Sequence, residues 1–491
     1  MSADRRRGVR ARVYGFLRRF VGLSGVERML IALAALVLSV VVGFLIVLVS
    51  GRIAECSTAA WTMPVTGLGF CYDPFQVYFI LFNGALGNPF YLWEPAVLNP
   101  DWLPFTVPLL GFMPGWSPFN NSFALTMSET TLLIFTGLSV AVAFRAGLFN
   151  IGTQGQLVVG ALLTALVVVA AAPLFPANRV GGVVLIALGI AAGAIGGGFW
   201  GAIPGALKAY ADANEVITTI MLNFIAANIA YVLVLEVFRA EGSSFVATER
   251  VPAYARIDPW FFPTTGDFAE AALLIGLVTV VGLYVVLEHT SFGYDLRVSG
   301  IQPLAAEYGG VNAKLTTVRA MTISGALGGI GGSMWVLMAE GRWLESVPDL
   351  GFDGIAVSIL AGNNPLGVFP AAALFGVLKG GALQVGFQTD VPPELIGVLR
   401  GLIILFVAMP EFFRLIGRRL DVDERASDGS GGRGSDGTGG SAGGDGPGGG
   451  DGSAGVDGSA GVDGSTKSTD PDGRDGSPEV TDRSHGGESG A

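Results

Sequence analysis

Few side chains in this 491-residue chain could carry covalent or metal chemistry. There are two histidines, His289 and His485, and two cysteines, Cys56 and Cys71. Together they make no plausible zinc set. The four lysines are Lys208, Lys314, Lys379 and Lys467, and none follows a glycine. The phosphate-binding GxxxxGK[ST] loop is therefore absent, and any ATP-driven work needs a motor on another chain. What the chain offers instead is amides set among glycines. Residues 146–156 read AGLFNIGTQGQ, which packs Asn150, Thr153, Gln154 and Gln156 among Gly147, Gly152 and Gly155. Residues 212–228 read DANEVITTIMLNFIAAN; Asn214 and Glu215 start a helix, the acid being favourable at its N-terminus. Asn223 and Asn228 follow on that helix. Uncharged amides suit the hydroxyl and carbonyl groups of sugars and bases. Asn150, Gln154, Gln156, Asn223 and Asn228 are accordingly the candidate lining of a path for a polar solute.

The elements that position these residues are apolar. Hydrophobic residues make up 51% and charged residues 14%, with a mean hydropathy of +0.57; soluble domains carry about 25% charge. Residues 421–491 are different material. They hold 23 of the 74 glycines and 15 of the 40 acids against five of the 29 bases, a net of −10 out of −11. Beyond Leu420 there is no Leu, Ile, Met, Phe, Trp or Tyr. Such a segment buries too little to offset its ordering entropy and reads as a disordered, solvated tail. Its bias to Asp suits a high-salt cytoplasm.

Residues 29–50 are 22 consecutive uncharged residues, where about 20 cross a bilayer. The 28 residues before them carry eight arginines against two acids, which holds the N-terminus in the cytoplasm. Further apolar stretches lie at 123–144, 155–174, 181–206, 215–238, 271–289, 321–340, 346–362, 366–387 and 393–414. The expectation is an all-α polytopic membrane protein of about ten transmembrane helices, with 346–362 only half-crossing. An even count puts both termini in the cytoplasm of a cell-membrane protein, with Arg414, Arg418 and Arg419 flanking the last helix. The reading divides the chain into a basic N-terminus 1–28, a first helix 29–50, an extracellular and interfacial segment 51–122, a core 123–420 and the tail 421–491. Cys56 and Cys71 fall in the outer segment, where a disulfide and two free thiols are both admissible.

Two features of the core concern motion and charge. Gly193, Gly197, Gly201 and Gly205 share one helix face, and Gly325 with Gly329 repeats the device; small-xxx-small faces let helices approach closely in lipid. Lys379 and Arg400 lie within apolar spans, where charge is expensive. Each either lines the path, pairs with Glu394 or Asp390, or snorkels to the outer interface. Glu129, Glu236 and Glu340 are read as helix-end residues reaching water.

Four segments in order, FNIGTQGQ, NEVITTIMLNFIA, AAEYGGVNAKLTTVRAMTISGALGGIGG and GFDGIAVSILAGNNPLGVFPAAALFG, resemble the permease subunits of ABC-type importers. The family is the large one that includes branched-chain amino acid and ribose permeases. The NIGxxGQ and NEVxxTIMLN pair is similar to its nucleoside and simple-sugar branch. That branch usually has an acid before the GQ, as in NIGAEGQ; here Thr153-Gln154 stands instead. The resemblance covers about 120–415 and implies a translocating subunit without its own ATPase site or cofactor. The partners it implies are cytoplasmic ABC ATPases, a second permease subunit and an extracellular solute-binding protein, in a lipid membrane and without nucleic acid. It also implies that the cytoplasmic loop 290–320 couples to the ATPase. The family's Glu-Ala-Ala, three residues, then Gly is matched by Leu304-Ala305-Ala306 and Gly310, with the leading Glu missing. Ala305, Ala306, Glu307, Gly310 and Lys314 are the expected coupling residues. A stand-alone secondary transporter or channel is the other reading, and it predicts a mid-depth coupling carboxylate.

Overall fold

The computed structural model describes residues 25–56, 58–63, 67–87, 97–98, 107–108, 119–262, 267–392, 394–399, 401–402 and 405. All belong to the first of two units, Met1–Gly429. The tail 421–491, most of the basic N-terminus, most of 393–414 and Arg400 lie outside them.

The described residues are mostly helical. Helix α1 is Gly25–Ile53. A two-residue hairpin, β1 Trp61–Thr62 with β2 Gly69–Phe70, follows. The Cys56–Cys71 disulfide, with Cα atoms 5.7 Å apart, closes it and decides between the two readings left open for these cysteines. Helix α2, Pro74–Leu86, is started by Asp73, whose carboxylate accepts from the N–H groups of Phe75 and Gln76. Strands β3 Val97–Leu98 and β4 Val107–Pro108 pair antiparallel. The core comprises α3 Asn121–Arg145, α4 Thr153–Ala171, α5 Arg179–Ala211, α6 Glu215–Leu233, α7 Glu270–His289, α8 Ser291–Ile301, α9 Pro303–Tyr308, α10 Ala313–Met334, α11 Leu350–Leu360 and α12 Pro365–Gln388. Asn side chains cap α3, α5, α6, α10 and α12. Each supplies an acceptor to an N–H group that the helix cannot satisfy internally. For α6 the cap is Asn214, at the start read from the sequence.

Seven helices among the described residues are long and apolar enough to cross a membrane: α3, α4, α5, α6, α7, α10 and α12, with short extensions on α4, α6 and α10. Helix α11 spans 11 residues. At 1.5 Å per residue that is about 16 Å, half of a hydrocarbon core. Burial grades outward from the centre: 83% of the apolar window of α3 is buried and only 22% of that of α6. Helix α6 turns Ile217, Met221, Phe224, Ile225 and Ile229 to the surroundings, an arrangement suited to lipid rather than water. A smaller core joins α1, α2 and α12 through Val47, Val77, Ile80 and Val385, together with Ile396 and Leu399.

The two glycine stripes face each other. A Cβ on Gly197 would sit 2.3 Å from the carbonyl oxygen of Gly325, and one on Gly329 would sit 2.0 Å from that of Gly193. Helices α5 and α10 thus touch backbone to backbone. Beside the seam, the hydroxyls of Thr164 on α4 and Ser333 on α10 lie 2.8 Å apart. Lipid tails give apolar helices no incentive to associate, so contact this close replaces it.

Candidate functional site

Helix α3 ends at Arg145, but α4 does not begin at that level. The hydroxyl of Thr153, its first residue, lies 3.2 Å from that of Ser139, six residues before Arg145 and about 9 Å further in along α3. Residues 146–152 therefore turn back into the bundle, and Gly147 permits the reversal with a φ of +69°. Irregular backbone at such a depth survives only if its polar groups find partners inside the protein.

Amides provide them. The Asn150 carboxamide oxygen accepts from the Gly152 N–H at 2.9 Å, and its nitrogen donates to Gln156 Oε1 at 3.0 Å and Ser324 Oγ at 2.7 Å. Gln156 donates back to Asn150 Oδ1 at 3.3 Å. From α6, Asn223 accepts from the Gly155 N–H at 2.8 Å and donates to the Ile151 carbonyl at 2.9 Å. Ser139 and Ser324 each donate to the other's backbone carbonyl, at 2.7 and 2.6 Å, tying α3 to α10. Gln154 grips a different element: its Nε2 donates to the Pro348 carbonyl at 3.0 Å and its Oε1 accepts from the Gly351 N–H at 2.8 Å. It thereby holds the start of the half-length helix α11. Asn150, Gln154, Gln156 and Asn223 are all buried. Asn228 stays apart: it is exposed on α6 and donates to Phe224 in its own helix at 2.8 Å.

The start of α11 has a second holder. Lys379 on α12 contacts Asp353 of α11 at 2.9 Å and Glu129 of α3 at 3.2 Å, with side-chain exposures of 11%, 18% and 17%. This corrects the pairing read from the sequence: the partners of Lys379 are neither Glu394 nor Asp390, and Glu129 is engaged rather than reaching water. The other end of α11 returns to the Arg145 end of α3, where Arg145 Nε donates to the Asn363 carbonyl at 2.9 Å.

Helices α8 and α9 cover much of the expected coupling loop. Ala306 is buried, whereas Ala305, Glu307, Gly310 and Lys314 are exposed. The same tip exposes Ile301, Leu304 and Tyr308, the last by 95%.

The family described as the branched-chain amino acid transport system permease component matches residues 122–408. This chain belongs to it. A guanosine ABC transporter permease from Bacillus subtilis is 31% identical over 79% of the chain and 96% of its own length. A nucleoside ABC transporter permease from Lactococcus lactis is 33% identical over 59% of the chain and 79% of its own. A glucose ABC transporter permease from Haloferax volcanii is 31% identical over 63% and 82%. No solved structure matches the chain.

The protein is thus a multi-pass permease subunit of an ABC importer, a transporter subunit rather than an enzyme. The sequence of this permease does not single out Ser139, Ser324 or Asp353, and it points Glu129 to water rather than to Lys379. Serine and threonine in a span usually back-bond to their own helix, as Thr130 and Thr131 do here. Nothing local separates Ser139 and Ser324 from that background. The carboxylate signal was present, because two acids within apolar stretches need a cation.

Proposed function

We propose that this permease imports a nucleoside or a simple sugar. The similarity to guanosine, nucleoside and glucose permeases supports that class. An extracellular binding protein delivers the solute, two cytoplasmic ABC ATPases drive the cycle, and a second permease subunit completes the passage. Both termini are cytoplasmic and about ten helices cross, α1 and the 393–414 segment included. On this reading the Arg145 end of α3 is cytoplasmic, and Ala305, Ala306, Glu307, Gly310 and Lys314 meet the ATPase. The exposed Ile301, Leu304 and Tyr308 beside them supply the apolar contact.

The observation that carries the path is the amide-held break at 146–156. Its bonds join α3, α4, α6 and α10 through neutral donors and acceptors, which a sugar hydroxyl or a base carbonyl can replace one for one. Asn150, Gln154, Gln156 and Asn223 use their hydrogen-bonding groups on protein at rest, and the solute takes them over as the break opens. Asn228 meets the solute only through movement of α6. The test is uptake of labelled guanosine and labelled glucose into proteoliposomes holding the whole complex. ATP- and binding-protein-dependent entry of one of them is expected. Entry without ATP, or entry of amino acids alone, overturns the reading.

A further inference from the structure

The segment expected to meet the ATPase packs on α7, α10 and the end of α3, and a cluster of charged side chains ties its α8 helix to the ends of α3 and α7. Glu288, at the end of α7, lies between two guanidinium groups. Its Oε1 accepts from Arg145 and its Oε2 from Arg297 of α8 at 3.2 Å. Arg297 also donates to the Leu287 carbonyl. Arg145 faces both ways: its Nη1 holds Glu288 while its Nε holds the Asn363 carbonyl, where α11 turns into α12. Beside this pair the backbones touch. A Cβ on Gly147 would lie 2.5 Å from the carbonyl oxygen of Gly300, the penultimate residue of α8. Gly147 lies within the amide-held break, three residues before Asn150. Gly300 and Gly147 thus join α8 to the break, and Arg297, Glu288 and Arg145 join α8 to the end of α11.

We propose that Arg145 and Glu288 form the joint that carries ATPase-driven movement of α8–α9 to the translocation path. The proposal rests on the importer reading given above. Arg145 keeps only 15% of its side chain exposed while Glu288 is exposed, so salt reaches the pair from one side only. A guanidinium that donates to Glu288 and to Asn363 from two different nitrogens also fixes direction, which a single ammonium does not. The competing account makes the pair an ordinary tie between helix ends. It predicts lower stability, with uptake and ATP hydrolysis falling together.

The complete complex in proteoliposomes separates the two. In Arg145→Gln and Glu288→Gln, ATP hydrolysis stimulated by guanosine-loaded binding protein stays at the wild-type rate. Guanosine taken up per ATP falls about ten-fold, the range of a typical coupling energy. The double variant falls no further than the worse single one, because the two residues form one unit. Arg145→Lys keeps the charge facing Glu288, loses the simultaneous reach to Asn363, and lies between. Unchanged uptake per ATP, parallel loss of hydrolysis and uptake, or additive losses each overturn the joint. A second readout does not depend on the solute. A spin label at Ile359→Cys on α11, an exposed position, changes mobility when ATP is added to the complex, and in Arg145→Gln a label at Tyr308→Cys still responds while that at 359 does not. Equal responses at 359 in both backgrounds overturn the joint. Failure of wild-type uptake with these label responses intact overturns only the choice of solute.

Discussion

The seam between α5 and α10 and the break between α3 and α4 are built from opposite materials. The seam is backbone against backbone, with Gly193, Gly197, Gly325 and Gly329 leaving no room for a methyl group. The break is held by side chains: Asn150 and Asn223 satisfy the N–H groups of Gly152 and Gly155 and the Ile151 carbonyl, and Gln156 and Ser324 bond Asn150 in turn. A seam of this kind has no substitute partners and stays shut. Hydrogen bonds to neutral amides can be exchanged for equivalents with little net change in free energy, since each contributes about 1 kcal/mol. One molecule therefore carries a rigid pair of helices and, against it, a segment able to open.

Five substitutions probe the difference between seam and break. The largest effect is expected at the seam. Gly329→Leu forces α5 and α10 apart and removes folded protein from detergent extracts, as size-exclusion chromatography would register. Next is Lys379→Met, which leaves Glu129 and Asp353 facing each other without their cation. Removing one partner of a buried ion pair costs about 3–5 kcal/mol, and thermal unfolding of the purified complex measures it. Asn223→Ala strands the Gly155 N–H and the Ile151 carbonyl and costs about 1–3 kcal/mol. Unlike the seam variant it yields assembled complex, with loss concentrated in uptake. Gln154→Glu tests the departure from the branch's usual acid: a carboxylate still accepts from Gly351 but cannot donate to Pro348. The expected result is a loss within that same range of about 1–3 kcal/mol, recovered at acid pH when the added carboxyl protonates. The smallest effect is at Asn228→Ala, within about 0.5 kcal/mol, because its amide bonds only to its own helix.

The contrast was partly legible in the sequence. Glycines four apart announce a smooth helix face because the α-helix brings every fourth residue close to one line, and both stripes were found that way. That they meet each other was not legible, since periodicity within a helix carries no information about its neighbour. The amides and glycines of 146–156 announced irregular backbone at depth, but not that Asn223, from a helix 68 residues on, would close it. The short apolar stretch at 346–362 announced a half-crossing, realised as α11. For Lys379 the sequence left lining the path, pairing with Asp390 or Glu394, and snorkelling open, whereas helix packing brings in Glu129 from 250 residues away and Asp353 from 26. Buried charge is paired by tertiary structure, and sequence proximity is a poor guide to it.

The central claim is that the break opens during transport while remaining closed at rest. Thr153 tests it most directly, since its side chain is fully buried between α3 and the amides. The two native cysteines are joined in a disulfide, so Thr153→Cys supplies a single reporter thiol. In the assembled complex a small water-soluble thiol reagent is predicted to leave it unmodified without ATP and to label it during turnover. A thiol that stays unreactive under both conditions, or reacts equally in both, would contradict the account.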